Sequence, residues 1–161
     1  MENSVNEPSE KLGPRYWLGV VSRAHVELGV CGGFAQLCHG RAQPLERMRA
    51  GDWLIYYSPR TEMGAGAPLL QAFTAVGRIA DERVYRFDMG DGWVPSRRDV
   101  AYETVRPLPL GEVKSRLHFT AKAGWAMQLR RGHLELDAHD FELIAGAMRV
   151  TPSAGIADPC R

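Results

Sequence analysis

Apolar residues follow two periods along this chain, and each predicts a different kind of element. Asp52–Ser58 (DWLIYYS) is apolar or aromatic on both parities, with Trp53, Ile55 and Tyr57 on one side and Leu54 and Tyr56 on the other. A strand of that kind is covered on both faces and belongs inside a sheet or barrel wall. Leu69–Ile79 predicts a second long strand, with Gly77 marking a bend in it. Val84–Asp88 alternates, Trp93–Val105 is extended, and Tyr16–Ser22, Phe34–Cys38 and Gly132–Leu136 read as shorter strands. The helical period appears near the end, where Phe141, Ile144, Ala145 and Met148 share one face and Asp137 precedes Asp140 by three. Further helical segments are predicted at Leu110–Leu117, after Pro44, and from Ser22 to Val26, this last stopped by Gly29, Gly32 and Gly33.

Strands interleaved with short helices make the chain α+β, and a compact mixed barrel flanked by helices fits them best. The 161 residues suit one domain. The ends, 1–13 and 151–161, are polar and rich in Pro, Ser and Asn, so they are expected to be flexible tails around a folded unit at 14–150.

A net charge of +1 excludes a protein that coats nucleic acid non-specifically, so any basic surface must be local. The cations are 17 Arg against 3 Lys, and arginine alone offers a planar fork for phosphate and base faces. Cys31, Cys38 and Cys160 have no metal-knuckle or paired spacing and are expected to be reduced thiols. Neither a signal-like start nor a membrane-length apolar run is present, which predicts a cytoplasmic protein with no membrane partner.

Reactive and recognition-type side chains gather around Ser22–His25, His39–Arg41, Tyr56–Arg60 and Trp93–Asp99. A Ser–His–Asp triad fits poorly. No Gly-x-Ser-x-Gly turn exists, and Ser58 is followed by Pro59, which has no N–H for an oxyanion. No His pair lies at helical or hairpin spacing with a carboxylate partner, and no phosphate loop is present. Neither metal, cofactor nor catalysis is therefore expected. Aromatic rings beside hydroxyls and arginines suit capture of a flipped-out base instead. A pocket for a nucleoside or other small molecule is the alternative, and a nucleotide-acting hydrolase or transferase a weaker one.

Seven segments in order resemble the EVE-domain family: WLGVVSRAHVELG (17–29), GFAQLCHGR (33–41), PLERMRAGD (44–52), YYSP (56–59), QAFTAVG (71–77), WVPSRRDV (93–100) and DFELIAGAM (140–148). The resemblance implies a PUA-like fold, a strongly curved mixed β-barrel with short peripheral helices. EVE domains are similar to YTH domains, which read a methylated adenine in RNA through an aromatic cage. By that resemblance the ligand-binding residues are Trp17, Ser22, Gly33, Phe34, Ala35, Tyr57, Ser58, Phe73, Thr74 and Trp93, with Arg97 and Arg98 gripping phosphates. Where a YTH cage carries tryptophan, this chain has Phe34. The implied protein is a monomeric, non-catalytic reader of a modified base in DNA or RNA, handing its signal to an effector protein.

Overall fold

A computed structural model describes residues 13–150 together with Cys160. The expected tails lie outside the described residues, Gly13 and Cys160 excepted. The elements in chain order are β1 (Tyr16–Val20), α1 (Arg23–Gly32), β2 (Phe34–Ala35), α2 (Gln43–Arg47), β3 (Trp53–Arg60) and β4 (Leu69–Arg86). There follow β5 (Ser96–Tyr102), β6 (Leu108–Pro109), α3 (Leu110–Val113), α4 (His118–Ala121), α5 (Trp125–Leu129), β7 (His133–Leu136) and α6 (Ala138–Met148). The fold is α+β and PUA-like, as the pattern and the resemblance implied. No helix among the described residues is long and apolar enough to cross a membrane.

The sheet runs β2-β5-β4-β3-β1-β7, with β6 added to β4. β1 lies parallel to β3 and antiparallel to β7, and every other pairing is antiparallel. β3 is central, as its doubly apolar pattern requires. Ile55 and Tyr57 point into one core with Leu18, Phe73 and Val76, closed by Phe141, Ile144 and Met148 of α6. Leu54 and Tyr56 point into the other with Trp17, Ala75 and Val100, closed by Val26 of α1 and by Leu45 and Met48.

The barrel does not close: β2 and β7 remain its edges. β2 is two residues long and β7 four, so each edge is short. The turn after β2 touches the turn before β7, with the Cys38 Sγ–H donating to Arg131 O at 3.5 Å.

Several expectations need correction. α1 does not stop at Val26 but runs through Gly29 and Gly32 and ends at Gly33, whose φ of 71° closes it in the left-handed region. Gly29 and Gly32 are packing glycines. A Cβ on Gly29 would lie 2.7 Å from Phe34 O, and one on Gly32 2.4 Å from the Phe34 ring. Gly77 marks no bend either. It pairs regularly with Leu54 and Tyr102, and the register of β4 against β5 shifts only between Ile79 and Val84. Cys31 and Cys160 form a disulfide across 129 residues of sequence, so two of the three thiols are not reduced. Sequence spacing could not reveal that pairing, because only the fold brings α1 and Cys160 together.

Candidate functional site

The gap between the two sheet edges is a cleft of about 470 Å³, within the usual size of a small-ligand pocket. The end of β1 and start of α1 give it Ser22 and His25. The chain after β2 gives Gln36 and the turn Cys38–Arg41, the loop before β5 gives Trp93, and the end of α5 gives Arg130 and Arg131. Each is placed by a backbone feature. Ser22 holds the position before α1, yet its side chain makes no capping bond, so the hydroxyl is not consumed by the helix. Cys38, His39 and Gly40 take φ values of 47°, 60° and 81°, a left-handed run that non-glycine residues rarely adopt. That run turns the chain back sharply enough for Gly40 to pack against Pro95 and Trp93. Trp93 stays 45% exposed at the cleft mouth.

Two polar groups in the cleft have one atom already committed. His25 Nε2 lies 3.2 Å from Gln36 O. A carbonyl only accepts, so Nε2 carries the proton. Burial, assisted by the Arg97 charge, pushes the His25 imidazole below its ordinary pKa despite the opposing bond to Gln36. The amide oxygen of Gln36 accepts from Arg97 Nε at 3.1 Å.

Arg97 is 8% exposed, with its guanidinium between the rings of Phe34 and Phe87 at 3.8 and 3.9 Å. Arg98 is 2% exposed. It donates to Leu45 O and Met48 O at the end of α2, and to Asp81 O where the register of β4 shifts. The expected phosphate grip finds neither arginine open to solvent: on opposite faces of β5, Arg97 and Arg98 are both buried in contacts within the protein. Arg41, Arg130 and Arg131 are the arginines at the cleft.

Of the other expected ligand residues, only Ser22 and Trp93 line this cleft. Phe34 packs between Gly32 and Arg97 and is part-exposed. Ala35 is fully buried beside it. Trp17 is 4% exposed, donates its indole N–H to Asp52 at 3.0 Å and stacks on His133. Tyr57 and Phe73 belong to the core beneath α6. Ser58 is fully buried, its hydroxyl 2.8 Å from that of Thr74. Gly33 and Thr74 border a separate cavity of about 360 Å³ beside α1, and Cys160 lines the same cavity. The sequence flagged His25 and His39–Arg41 as places of interest, but Gln36, Arg130 and Arg131 escaped it. Arg130 and Arg131 are placed by the β1–β7 pairing and Gln36 by the β2–β5 pairing, which no local pattern contains.

Among the described residues one group has donors for a metal: His118, Asp137, His139 and Asp140, with ligand atoms within 4.8 Å of one another. The sequence reading excluded such a His–carboxylate pairing on spacing, and the docking of α4 on α6 creates it. Both carboxylates are nevertheless occupied. Asp140 accepts the N–H groups of His118 and Phe119, and Asp137 caps α6 through Asp140 N. The imidazoles stack nearly parallel, their ring centroids 3.8 Å apart, so their in-plane lone pairs do not converge on one point. This is a capping staple between two helices.

The EVE-domain family model matches residues 15–147. The chain belongs to the EVE-domain family. UPF0310 protein YdcG of Bacillus subtilis (strain 168) is 43% identical over 143 residues, which span 88% of this chain and 97% of that protein. A UPF0310 protein of Streptococcus mutans is 46% identical over 137 residues, spanning 84% and 98%. The YTH domain of Zygosaccharomyces rouxii MRB1 protein, solved in complex with N6-methyladenosine RNA, superposes with a TM-score of 0.61 at 14% identity, covering 98% of this chain and 96% of that one. Rpa0253 from Rhodopseudomonas palustris gives a TM-score of 0.52 at 20% identity, covering 83% and 92%. At these identities the two structures establish a shared fold.

Proposed function

We propose that this EVE-domain protein is a non-catalytic module that takes a single base of DNA or RNA into the cleft at the barrel seam, with a modified base as its target. One observation carries the reading: a half-exposed tryptophan, hydrogen-bonding side chains and three arginines converge on one cleft. Trp93 offers the stacking face, Ser22, His25 and Gln36 the edge contacts, and Arg41, Arg130 and Arg131 the phosphate contacts. The fold shared with a YTH domain bound to N6-methyladenosine RNA supports the same assignment. Ser58 does not suit a nucleophile, because its hydroxyl is buried against Thr74 away from this cleft. The protein acts as a monomer and passes recognition to an effector.

The test is fluorescence anisotropy with short single-stranded and duplex oligonucleotides carrying 5-methylcytosine, 5-hydroxymethylcytosine or N6-methyladenine, each against its plain counterpart. One modified probe should bind more tightly than its counterpart, and Trp93→Ala should remove that preference. Replacing Arg130 and Arg131 by Gln should weaken all probes alike and reduce the salt slope by about 2. Equal or absent binding across the panel at low salt would overturn the proposal. If free nucleosides raise the melting temperature as much as oligonucleotides do, the target is a small molecule rather than a polymer.

A further inference from the structure

Arg97 Nε can only donate, so the atom of Gln36 facing it must be the amide oxygen. What Gln36 retains for a ligand is its NH2, a donor. Arg97 has little freedom to change this, since its guanidinium is held between two rings and also donates to Met89 Sδ at 3.2 Å. His25 is fixed in the complementary sense. Its Nε2–H is used by Gln36 O, which leaves the Nδ1 lone pair as an acceptor. Both residues line the same cleft as Trp93. Arg97 thus sets the polarity of the Gln36 amide, and the Gln36 backbone carbonyl sets that of the His25 ring.

We infer that Gln36 and His25 form a fixed donor–acceptor pair that admits only a neutral base edge presenting an acceptor beside an N–H donor, with Arg97 as the positioning residue that holds the Gln36 amide. The inference rests on the cleft being the base site. It adds a chemical rule to that reading. Every unmodified base can meet the rule on some edge, as can bases altered away from that edge or carrying one alkyl group on an exocyclic amine. Bases that have lost the donor or the acceptor cannot. N6-methyladenine keeps an N6–H beside a ring nitrogen, whereas N6,N6-dimethyladenine does not. 5-Methylcytosine keeps N4–H and N3, whereas 3-methylcytosine loses N3 as an acceptor and carries a charge.

The experiment uses the full chain and short single strands of abasic nucleotides with one central base, N6-methyladenine, N6,N6-dimethyladenine, 5-methylcytosine or 3-methylcytosine, so that no flanking base can satisfy the pair. At least one of the two rule-compliant probes should bind about tenfold more tightly than its non-compliant partner, the usual consequence of one unmet buried hydrogen bond. Gln36→Glu, which replaces the donor by an acceptor at nearly constant shape, should abolish that binding. Arg97→Met frees the amide to turn over, so it should shrink the ratio between paired probes more than it lowers affinity, an outcome that general loosening of the fold would not give. Without ligand, long-range 1H–15N correlations should report His25 at pH 7 as the neutral Nε2–H tautomer. A Nδ1–H tautomer or an imidazolium overturns the inference, and so does binding by Gln36→Glu equal to wild type. Where the wild type binds compliant and non-compliant probes equally well, the rule fails and base capture stands. Where it binds neither those probes nor their unmodified counterparts, base capture fails and takes this use of the pair with it.

Discussion

His133 begins β7 at 4% exposure, stacked on Trp17, and neither of its ring nitrogens has a hydrogen-bond partner among the described residues. Burial, with the Arg47 charge adding to it, lowers its pKa from the ordinary 6.5 to about 4. Between those two values the unfolded chain takes up a proton that the folded chain excludes. Stability should therefore fall as pH drops through 6.5 and level off below 4, with a loss of about 3 kcal/mol from this residue. His133→Phe keeps a ring against Trp17 and removes the titration. Urea unfolding from pH 7 to pH 4 should show a flatter profile for the variant, and equal acid sensitivity in both proteins would assign the loss to other groups. Arg98 calls for a different measurement. Arg98→Met strands the carbonyls of Leu45, Met48 and Asp81, so it should cost about 3 kcal/mol or more of stability. It should leave the salt dependence of oligonucleotide binding unchanged, whereas a phosphate contact would behave the opposite way.

At the scale of elements, the turn after β2 and the loop before β5 act as one unit. A Cβ on Gly40 would lie 2.6 Å from Pro95 Cβ, and the φ of 81° disfavours any L side chain there. Gly40→Ala should push the Trp93 loop away from the cleft. Oligonucleotide affinity should then fall by more than the thermal stability explains, as titration and melting of the same variant would reveal. The elements themselves were mostly legible in sequence. β3 was readable because its two parities feed two separate cores, and α6 because Asp137 caps it and its apolar face repeats at helical spacing. The end of α1 was misread for a physical reason. Gly29 and Gly32 carry the usual sign of a helix stop, yet here they make room for Phe34. Local propensity cannot distinguish a glycine that breaks a helix from one that lets a neighbour approach.

The candidate site belongs to the scale of the whole molecule, which is why so little of it could be read along the chain. Cys38 and Arg131 meet 93 residues apart, and the cleft exists because the two sheet edges approach there without pairing. Ser22 and Trp93 were legible as residue types suited to a pocket. Tyr57 and Phe73 had the same credentials, but strand parity turns them into the core. The disulfide is the other feature of this scale. It ties Cys160 to α1 across 129 residues, and closing so long a loop removes unfolded-state entropy worth up to about 5 kcal/mol. Disulfides persist in oxidising surroundings and are rare in a reducing cytoplasm, so the bond makes stability depend on redox conditions. Without reductant, Cys31→Ser should unfold at lower urea concentration than the wild type. Reductant should bring the wild type down to the variant's midpoint and leave the variant unmoved. Because Cys160 lines the cavity beside α1 and not the seam cleft, oligonucleotide affinity measured well below the unfolding transition should be the same in both states. A loss of affinity on reduction would show instead that the disulfide holds α1, and with it Ser22 and His25, in register with the rest of the cleft.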